Sequence, residues 1–430
     1  MRRTRSSLRP AIAEIIAVGS EMLLGGRTDS NSLLITDELA SLGIEVRFKS
    51  IVGDDRADIV QVLKTAVSRA RIIIVTGGLG PTVDDCTREA IAAAAGRKLS
   101  RRKEALDAMQ MRLAQWGRSP SKGQLRQALI PSGAMVVLNP VGSAPGFWLS
   151  WRGALVVSLP GVPAEMAAMI RESVVPLLQS HLRDRGASPT PIRRRVFHTW
   201  GLPEADIDEK LQGLVSKHAP VDLGLLASPM GVLVSLTTKP DGRVSDETFA
   251  ELSALVREHL NEWIVAEGAD SMEAVVGRLL VEGKHTLALA ESCTGGLIGH
   301  RLTQVPGSSA YVDRGVISYS NTAKIELLGV PEDLIERHGA VSAEVAAAMA
   351  KGVRERSGVS IGLSVTGIAG PGGATATKPV GLVYVGLHAV NGDALTREHR
   401  FHGDRSVIKQ RSSQGALDLL RRYLLSQAKR

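Results

Sequence analysis

Aromatic residues are scarce in this chain, at 3% of 430 positions, and cysteine is nearly absent, with only Cys86 and Cys293. Two distant thiols cannot build a four-ligand structural zinc site or a disulfide framework, so a reducing compartment with free thiols is expected. So few rings also argue against base stacking along a nucleic acid, although the formal net charge is +8. The positive residues are dispersed apart from Arg2–Arg9, Arg101–Lys103 and Arg193–Arg195. That pattern suits a solvated surface and anionic small molecules, with no nucleic-acid partner expected. No apolar run approaches the ~20 residues of a membrane span. The basic opening segment lacks the apolar stretch of a signal peptide, so a cytoplasmic protein without a membrane partner is expected.

What is present is aliphatic and glycine-rich: hydrophobic residues make up 44%, and there are 44 glycines. The length allows two to four domains. Residues 11–175 alternate strand-like and helix-like segments, the pattern of a mostly parallel sheet covered by helices. Ala13–Val18 and Arg71–Val75 read as buried strands, the second running into Thr76-Gly77-Gly78-Leu79-Gly80-Pro81-Thr82-Val83-Asp84-Asp85. Glycines let peptide N–H groups approach a phosphate, and Asp84 and Asp85 offer hard oxygen ligands to a divalent cation riding on it. A helix N-cap after a tight turn is the plainer reading of the same residues.

Residues 185–265 form a smaller unit, with strands at Val196–Trp200 and Val232–Thr237, helices at Glu204–Val215 and Asp246–Trp263, and a turn at Asp241-Gly242. His198 and His218 read as packing or surface residues. Residues 272–430 return to strand–helix alternation. There Leu287 to Gly296 reads L-A-L-A-E-S-C-T-G-G, a strand, a turn and a helix start. This layout places the Ser292 hydroxyl where peptide N–H groups and a helix dipole converge, as acyl transfer requires. Its plainer reading is a Ser N-cap. Gly315–Tyr319 reads as a strand, with Lys324 in the first turn of the next helix, and Ile361–Val365 as a strand running into Thr366-Gly367. Arg405 opens the last helix, where a cation opposes the dipole unless an anion meets it.

The quoted N-terminal loop, with Gly19-Ser20-Glu21, Asp29-Ser30-Asn31, Val52-Gly53-Asp54-Asp55 and Leu159-Pro160-Gly161-Val162-Pro163, resembles the N-terminal domain of the CinA family. That domain is similar to molybdopterin-binding domains. Residues 272–430 resemble the family's nicotinamide-nucleotide amidase domain, through Ala290–Gly296, Tyr319–Lys324, Thr366–Pro371, Lys378–Gly381 and Gly403-Asp404-Arg405.

The resemblance implies an α/β chain: a molybdopterin-binding-like three-layer domain, a small KH-like α+β domain without the G-x-x-G clamp, and an α/β amidase domain. For the C-terminal domain it implies hydrolysis of nicotinamide mononucleotide to the acid and ammonia, without a cofactor. Ser292 would be the nucleophile and Lys324 its base, with Tyr319 beside them. Thr294, Gly295, Gly296, Thr366, Gly367 and Arg405 would bind substrate. For the N-terminal domain it implies metal-dependent ADP-ribose pyrophosphatase activity, with phosphate at Gly77, Gly78, Gly80 and Thr82 and metal at Asp84 and Asp85. Asp29 and Glu21 are lesser candidates. A non-catalytic molybdopterin- or nucleotide-binding module and a competence-linked interaction protein are the alternatives.

Cys293 is an alternative nucleophile, although no His in the matched motifs is placed to serve it. Gly372, Gly373 and Ala374, and Lys409 beyond Arg405, depart from the family pattern beside the substrate. A homodimer is expected, partly because the Ala-rich Val345–Lys351 segment permits close packing.

Overall fold

The structure, a computed structural model, describes residues 11–185, 190–214, 220–240 and 244–428. The expectations for His218, Asp241-Gly242 and the Arg2–Arg9 cluster fall outside these residues. The described chain separates into two compact units, residues 1–193 with 238–244, and residues 194–237 with 245–430.

The first unit is built on eight strands: β1 (Ile12–Val18), β2 (Glu45–Val52), β3 (Ile72–Thr76), β4 (Leu99–Arg101), β5 (Leu129–Pro131), β6 (Met135–Val137), β7 (Gly146–Trp151) and β8 (Ala154–Leu159). Six of them form one sheet in the order β2-β1-β3-β8-β7-β6, and β4 pairs with β5. β1, β2, β3 and β8 run parallel, β7 runs antiparallel to β8, and β6 turns back antiparallel to β7.

Both faces of the sheet are buried, and the strands show it residue by residue. Ile16, Val18, Ile73 and Val75 pack with Ile59, Leu63 and Ile91 on one face. Ala13, Ile15, Ile72 and Ile74 pack with Ile35, Leu39, Met166 and Leu178 on the other. Continuous aliphatic runs are what a helix-covered parallel sheet demands, because successive side chains alternate between two dry faces.

In the second unit, β9 (Arg194–Thr199), β10 (Val221–Ser228), β11 (Gly231–Thr238) and β12 (Ile264–Glu267) make the small KH-like sheet, in the order β10-β11-β9-β12. Its first helix spans Glu204–Leu211, and its second spans Asp246–Leu260 with a 3-10 turn to Trp263. The strands β13 (Leu287–Glu291), β14 (Val312–Ile317), β15 (Ile361–Gly367), β16 (Leu382–Ala389) and β17 (Ala394–Arg400) form the C-terminal sheet, ordered β14-β13-β15-β16-β17. β13 lies centrally, parallel to both neighbours. Its Leu287 and Leu289 pack with Leu417 and Leu420 of the last helix, while Ala288 and Ala290 pack with Val345 and Met349 on the opposite face.

The Ala-rich helix spans Ala343–Ser357, and its Val345, Ala346, Met349 and Ala350 are buried within its own domain. A Cβ at Gly386 would lie 2.4 Å from the Ala346 carbonyl, and one at Gly362 would lie 2.1 Å from that of Ala350. The small residues are therefore spent on close helix–sheet approach inside the fold. They give no separate motive for a dimer.

Candidate active site

At the carboxyl ends of β13 and β15 lies a cavity of about 180 Å3 whose lining includes Ser292, Lys324, Tyr319, Thr366, Gly367 and Arg405. Three elements deliver these groups. Ser292 follows the last residue of β13, and its N–H donates to Val365 O of β15 at 3.0 Å. Lys324 stands in the first turn of the helix Asn321–Leu328, which Ser320 caps by accepting from Ala323 N. Arg405 opens the helix Arg405–Gln427, capped by Asp404 through Val407 N.

Lys324 is 1% exposed and Ser292 7%. The lysine Nζ lies 3.2 Å from Ser292 Oγ, 2.8 Å from Ser318 O and 3.4 Å from Tyr319 O. No carboxylate shares this cluster, and burial pulls the Lys324 pKa below its ordinary value. A neutral amine has two N–H donors and one lone pair. Two carbonyls take the donors, which leaves the lone pair for the serine hydroxyl. Arg405 donates to Gly370 O and to the Tyr319 hydroxyl, each at 2.8 Å. Among the described residues no carboxylate pairs with its guanidinium. The Asp404 carboxylate caps the same helix start and so offsets the dipole, but it makes no ion pair with the Arg405 guanidinium.

Three expected substrate contacts lie elsewhere. Thr294 is fully buried, its hydroxyl without a hydrogen-bond partner. Gly295 and Gly296 form the turn itself, with φ of 62° and 95°, a region glycine enters freely. None of the three lines the cavity. Nor does the start of the helix Leu297–Thr303 face an oxyanion, because Glu291, 2% exposed, fills it. Its carboxylate accepts from Gly296 N at 3.0 Å, Ile298 N at 3.1 Å and Gly299 N at 2.8 Å. Sequence reasoning missed this capping role. The signal was an acidic residue closing an apolar strand immediately before a helix.

Cys293 is 5% exposed, and burial pushes its thiol up to about 12. It is a packing residue beside the serine. Lys409 Nζ lies 3.6 Å from where a Cβ on Gly295 would be, so it borders the nucleophile's turn.

The N-terminal loop is arranged differently. Gly77, with φ of 105°, has no room for a side chain against Val18 O, at 2.1 Å from an added Cβ. Asp85 turns inward: it accepts from Gly80 N at 2.8 Å, from Thr82 N at 2.9 Å and from the Thr82 hydroxyl. The amides expected to cradle phosphate at Gly80 and Thr82 are therefore already bonded to Asp85. Asp84 is exposed, and its hydrogen bonds hold its carboxyl below the usual range. Asp29 is spent on Ser32 N and the Ser32 hydroxyl.

Among the described residues no three His, Cys, Asp or Glu side chains gather as a metal cage. The donor set suits only an ion that rests on Asp84 and draws its remaining ligands from a bound phosphate and water. Arg88 is wholly buried beneath the loop, donating to Leu79 O at 2.7 Å and Gly80 O at 3.1 Å. A larger recess of about 440 Å3 lies between β2 and the helix Arg56–Arg69. Its lining brings no nucleophile and base together, so size does not make it the site.

The fold and these groups define a three-domain α/β protein with a buried serine–lysine pair at the strand ends of its last domain. Residues 14–180 match the probable molybdopterin binding domain, 194–266 the damage-inducible protein CinA KH domain, and 269–424 the CinA C-terminal domain. A CinA-like protein of Geotalea uraniireducens is 40% identical over 96% of this chain and 97% of its own length. A CinA-like protein of Thermosynechococcus vestitus is 43% identical over 96% of this chain and 99% of its own. The crystal structure of the competence/damage inducible protein CihA from Agrobacterium tumefaciens is 42% identical, covering 36% of this chain and 95% of its own, at a TM-score of 0.35. The chain belongs to the CinA family.

No helix among the described residues is long and apolar enough to cross a membrane.

Proposed function

We propose that the C-terminal domain deamidates nicotinamide mononucleotide to nicotinic acid mononucleotide and ammonia. The observation that carries this reading is the buried Lys324 Nζ, 3.2 Å from Ser292 Oγ and bonded to the Ser318 and Tyr319 carbonyls. Serine is a weak nucleophile unless a neighbour takes its proton. A lysine can do so only when neutral, and burial favours that state.

Ser292 Oγ attacks the amide carbon while its proton passes to Lys324 Nζ. The resulting ammonium returns a proton to the departing nitrogen, the C–N bond breaks, and ammonia leaves behind an acyl-serine. Water, deprotonated by the same lysine, then attacks the ester carbon, frees the carboxylate and restores the serine. With Glu291 occupying three amides of the helix start, the N–H of Cys293, a residue of the cavity lining, is the candidate donor to the oxyanion. Arg405 supplies the cation for the nucleotide phosphate and orients Tyr319, which stands 59% exposed at the mouth.

For the N-terminal domain we propose metal-dependent hydrolysis of the ADP-ribose pyrophosphate. When bound, the divalent ion supplies charge neutralisation at the phosphoryl oxygens. Asp84 would hold it, and Asp85 would hold the loop in shape. Product analysis of the purified chain with each nucleotide, with and without divalent metal, tests both readings. Ammonia from nicotinamide mononucleotide that persists under chelation, together with ADP-ribose cleavage that stops, is the expected pattern. Absence of either product removes the corresponding assignment.

A further inference from the structure

Part of the wall of the Ser292 cavity is the short segment between two helices, Glu332–His338 and Ala343–Ser357. Its Ala340 and Val341 line the cavity through a stretch with no ladder of its own. Such a segment keeps its shape only if side chains from elsewhere answer its carbonyls. Thr366 does so for Ala340 O at 2.8 Å, and Ser342 for Gly339 O at 3.0 Å.

The remaining two are held by one side chain that lies outside the cavity. Lys378 Nζ donates to His338 O, the last carbonyl of the first helix, and to Val341 O at 2.8 Å. The first of these bonds places a cation on a helix C-terminus, where the dipole favours it. The fit is close. Gly339 has φ of 72°, and a Cβ there would stand 2.8 Å from Lys378 Nζ. The amine thus occupies the space a side chain would need.

We propose that Lys378 is the positioning residue of this wall: it fastens the Gly339–Ser342 segment against the cavity and so sets the pocket for the substrate ring, while taking no part in bond making. The functional half of this statement rests on the amidase reading above. The structural half does not. Lys378 lies on the loop between β15 and β16, so one ammonium ties that exposed loop to the cavity wall.

Two measurements on the full chain test it. In Lys378→Met, amide hydrogen exchange at residues 339–343 is expected to quicken about tenfold or more while the Ser292 strand end, residues 288–293, keeps its parental rate. Unchanged exchange at 339–343, or equal loosening of both segments, overturns the proposal. With nicotinamide mononucleotide, Lys378→Met is expected to raise KM about tenfold with kcat within about threefold, because ground-state and transition-state binding are lost together. Lys378→Arg, which keeps the cation on the helix end, should recover part of that loss. A collapse of kcat at unchanged KM overturns the positioning role in favour of a chemical one. A parent chain that releases no ammonia removes the amidase reading alone, and the exchange result then decides whether Lys378 holds the wall.

Discussion

Two glycine turns at strand ends look alike in this chain and are built for different purposes. After β3 the backbone turns at Gly77 and Gly78, and after β13 at Gly295 and Gly296, all four at positive φ. In each turn a nearby carboxylate folds back onto the amides, Asp85 onto Gly80 and Thr82, and Glu291 onto Gly296, Ile298 and Gly299. The anion that such a loop is shaped to receive is, in both cases, already part of the protein. What separates the two is what arrives from other elements. At β13 a lysine from the helix Asn321–Leu328, beyond β14, and an arginine from the last helix converge on the serine, in a cavity that buries the serine and the lysine. At β3 the loop's own Asp84 is left facing solvent. A glycine turn thus marks a place where backbone comes close, and chemistry depends on side chains that reach it from a distance in sequence.

The comparison breaks most sharply at the pair itself. Ser292→Ala and Lys324→Ala should each lower ammonia release by about a thousandfold or more, since a serine without its base is barely nucleophilic. Cys293→Ala should stay within a few-fold. A steady-state ammonia assay on folded variants checks this, and a near-parental Lys324→Ala would end the serine–lysine assignment.

The N-terminal turn comes next. Asp84→Ala should reduce metal-dependent ADP-ribose turnover by roughly a hundredfold at an unchanged melting temperature. Asp85→Ala should reduce turnover together with thermal stability, because it leaves two loop amides unanswered at about 1 kcal/mol or more each. Calorimetry alongside turnover separates the two aspartates, and identical behaviour would erase the division of labour between them.

A smaller effect is expected at Glu291→Gln, which keeps the shape but gives up the charge on three amides. Hydrogen bonds to a charged group are worth about 1.5–3 kcal/mol. A fall in unfolding free energy of roughly that size, with ammonia release reduced about tenfold or less, is the expected outcome in denaturant titration and assay.

The smallest effect concerns pH. The folded pKa of Lys324 is depressed, so between that value and the unfolded one the unfolded chain binds more protons. Stability should therefore rise with pH through this window, and kcat/KM should rise with it as the amine becomes neutral. Below the folded pKa the charged lysine costs stability, so Lys324→Met should unfold at a slightly higher temperature than the parent at neutral pH. A Lys324→Met variant that melts lower there would show that the hydrogen bonds of the amine to Ser318 O and Tyr319 O outweigh the cost of burying it.

Much of this was legible beforehand, for reasons that differ by residue. Ile72–Thr76 and Leu287–Glu291 announce themselves because a strand buried on both faces must be apolar throughout. Ser292 and Lys324 were found through family motifs, and the structure brings them together. Residues whose task depends on direction were less legible. Thr294, Gly295 and Gly296 adjoin the nucleophile in sequence, but the turn buries the first and uses the other two for its own geometry. Glu291, at the end of a buried strand, gave no periodic cue to the three amides it would reach. Lys378 stands 37 residues from Val341, whose carbonyl it holds, a pairing that no local pattern encodes.

The neighbour of the nucleophile also decides how the pocket withstands reagents. With its pKa pushed up to about 12 by burial, the thiol of Cys293 stays neutral at neutral pH. Alkylating agents and peroxide act on the ionised form, and that sulfur is also almost wholly enclosed. The proposed nucleophile therefore has a neighbour of low thiol reactivity in the cavity lining. Cys86, the more exposed of the two, lies in the other compact unit, where burial and the nearby Asp54, Glu89 and Asp55 raise its thiol pKa as well.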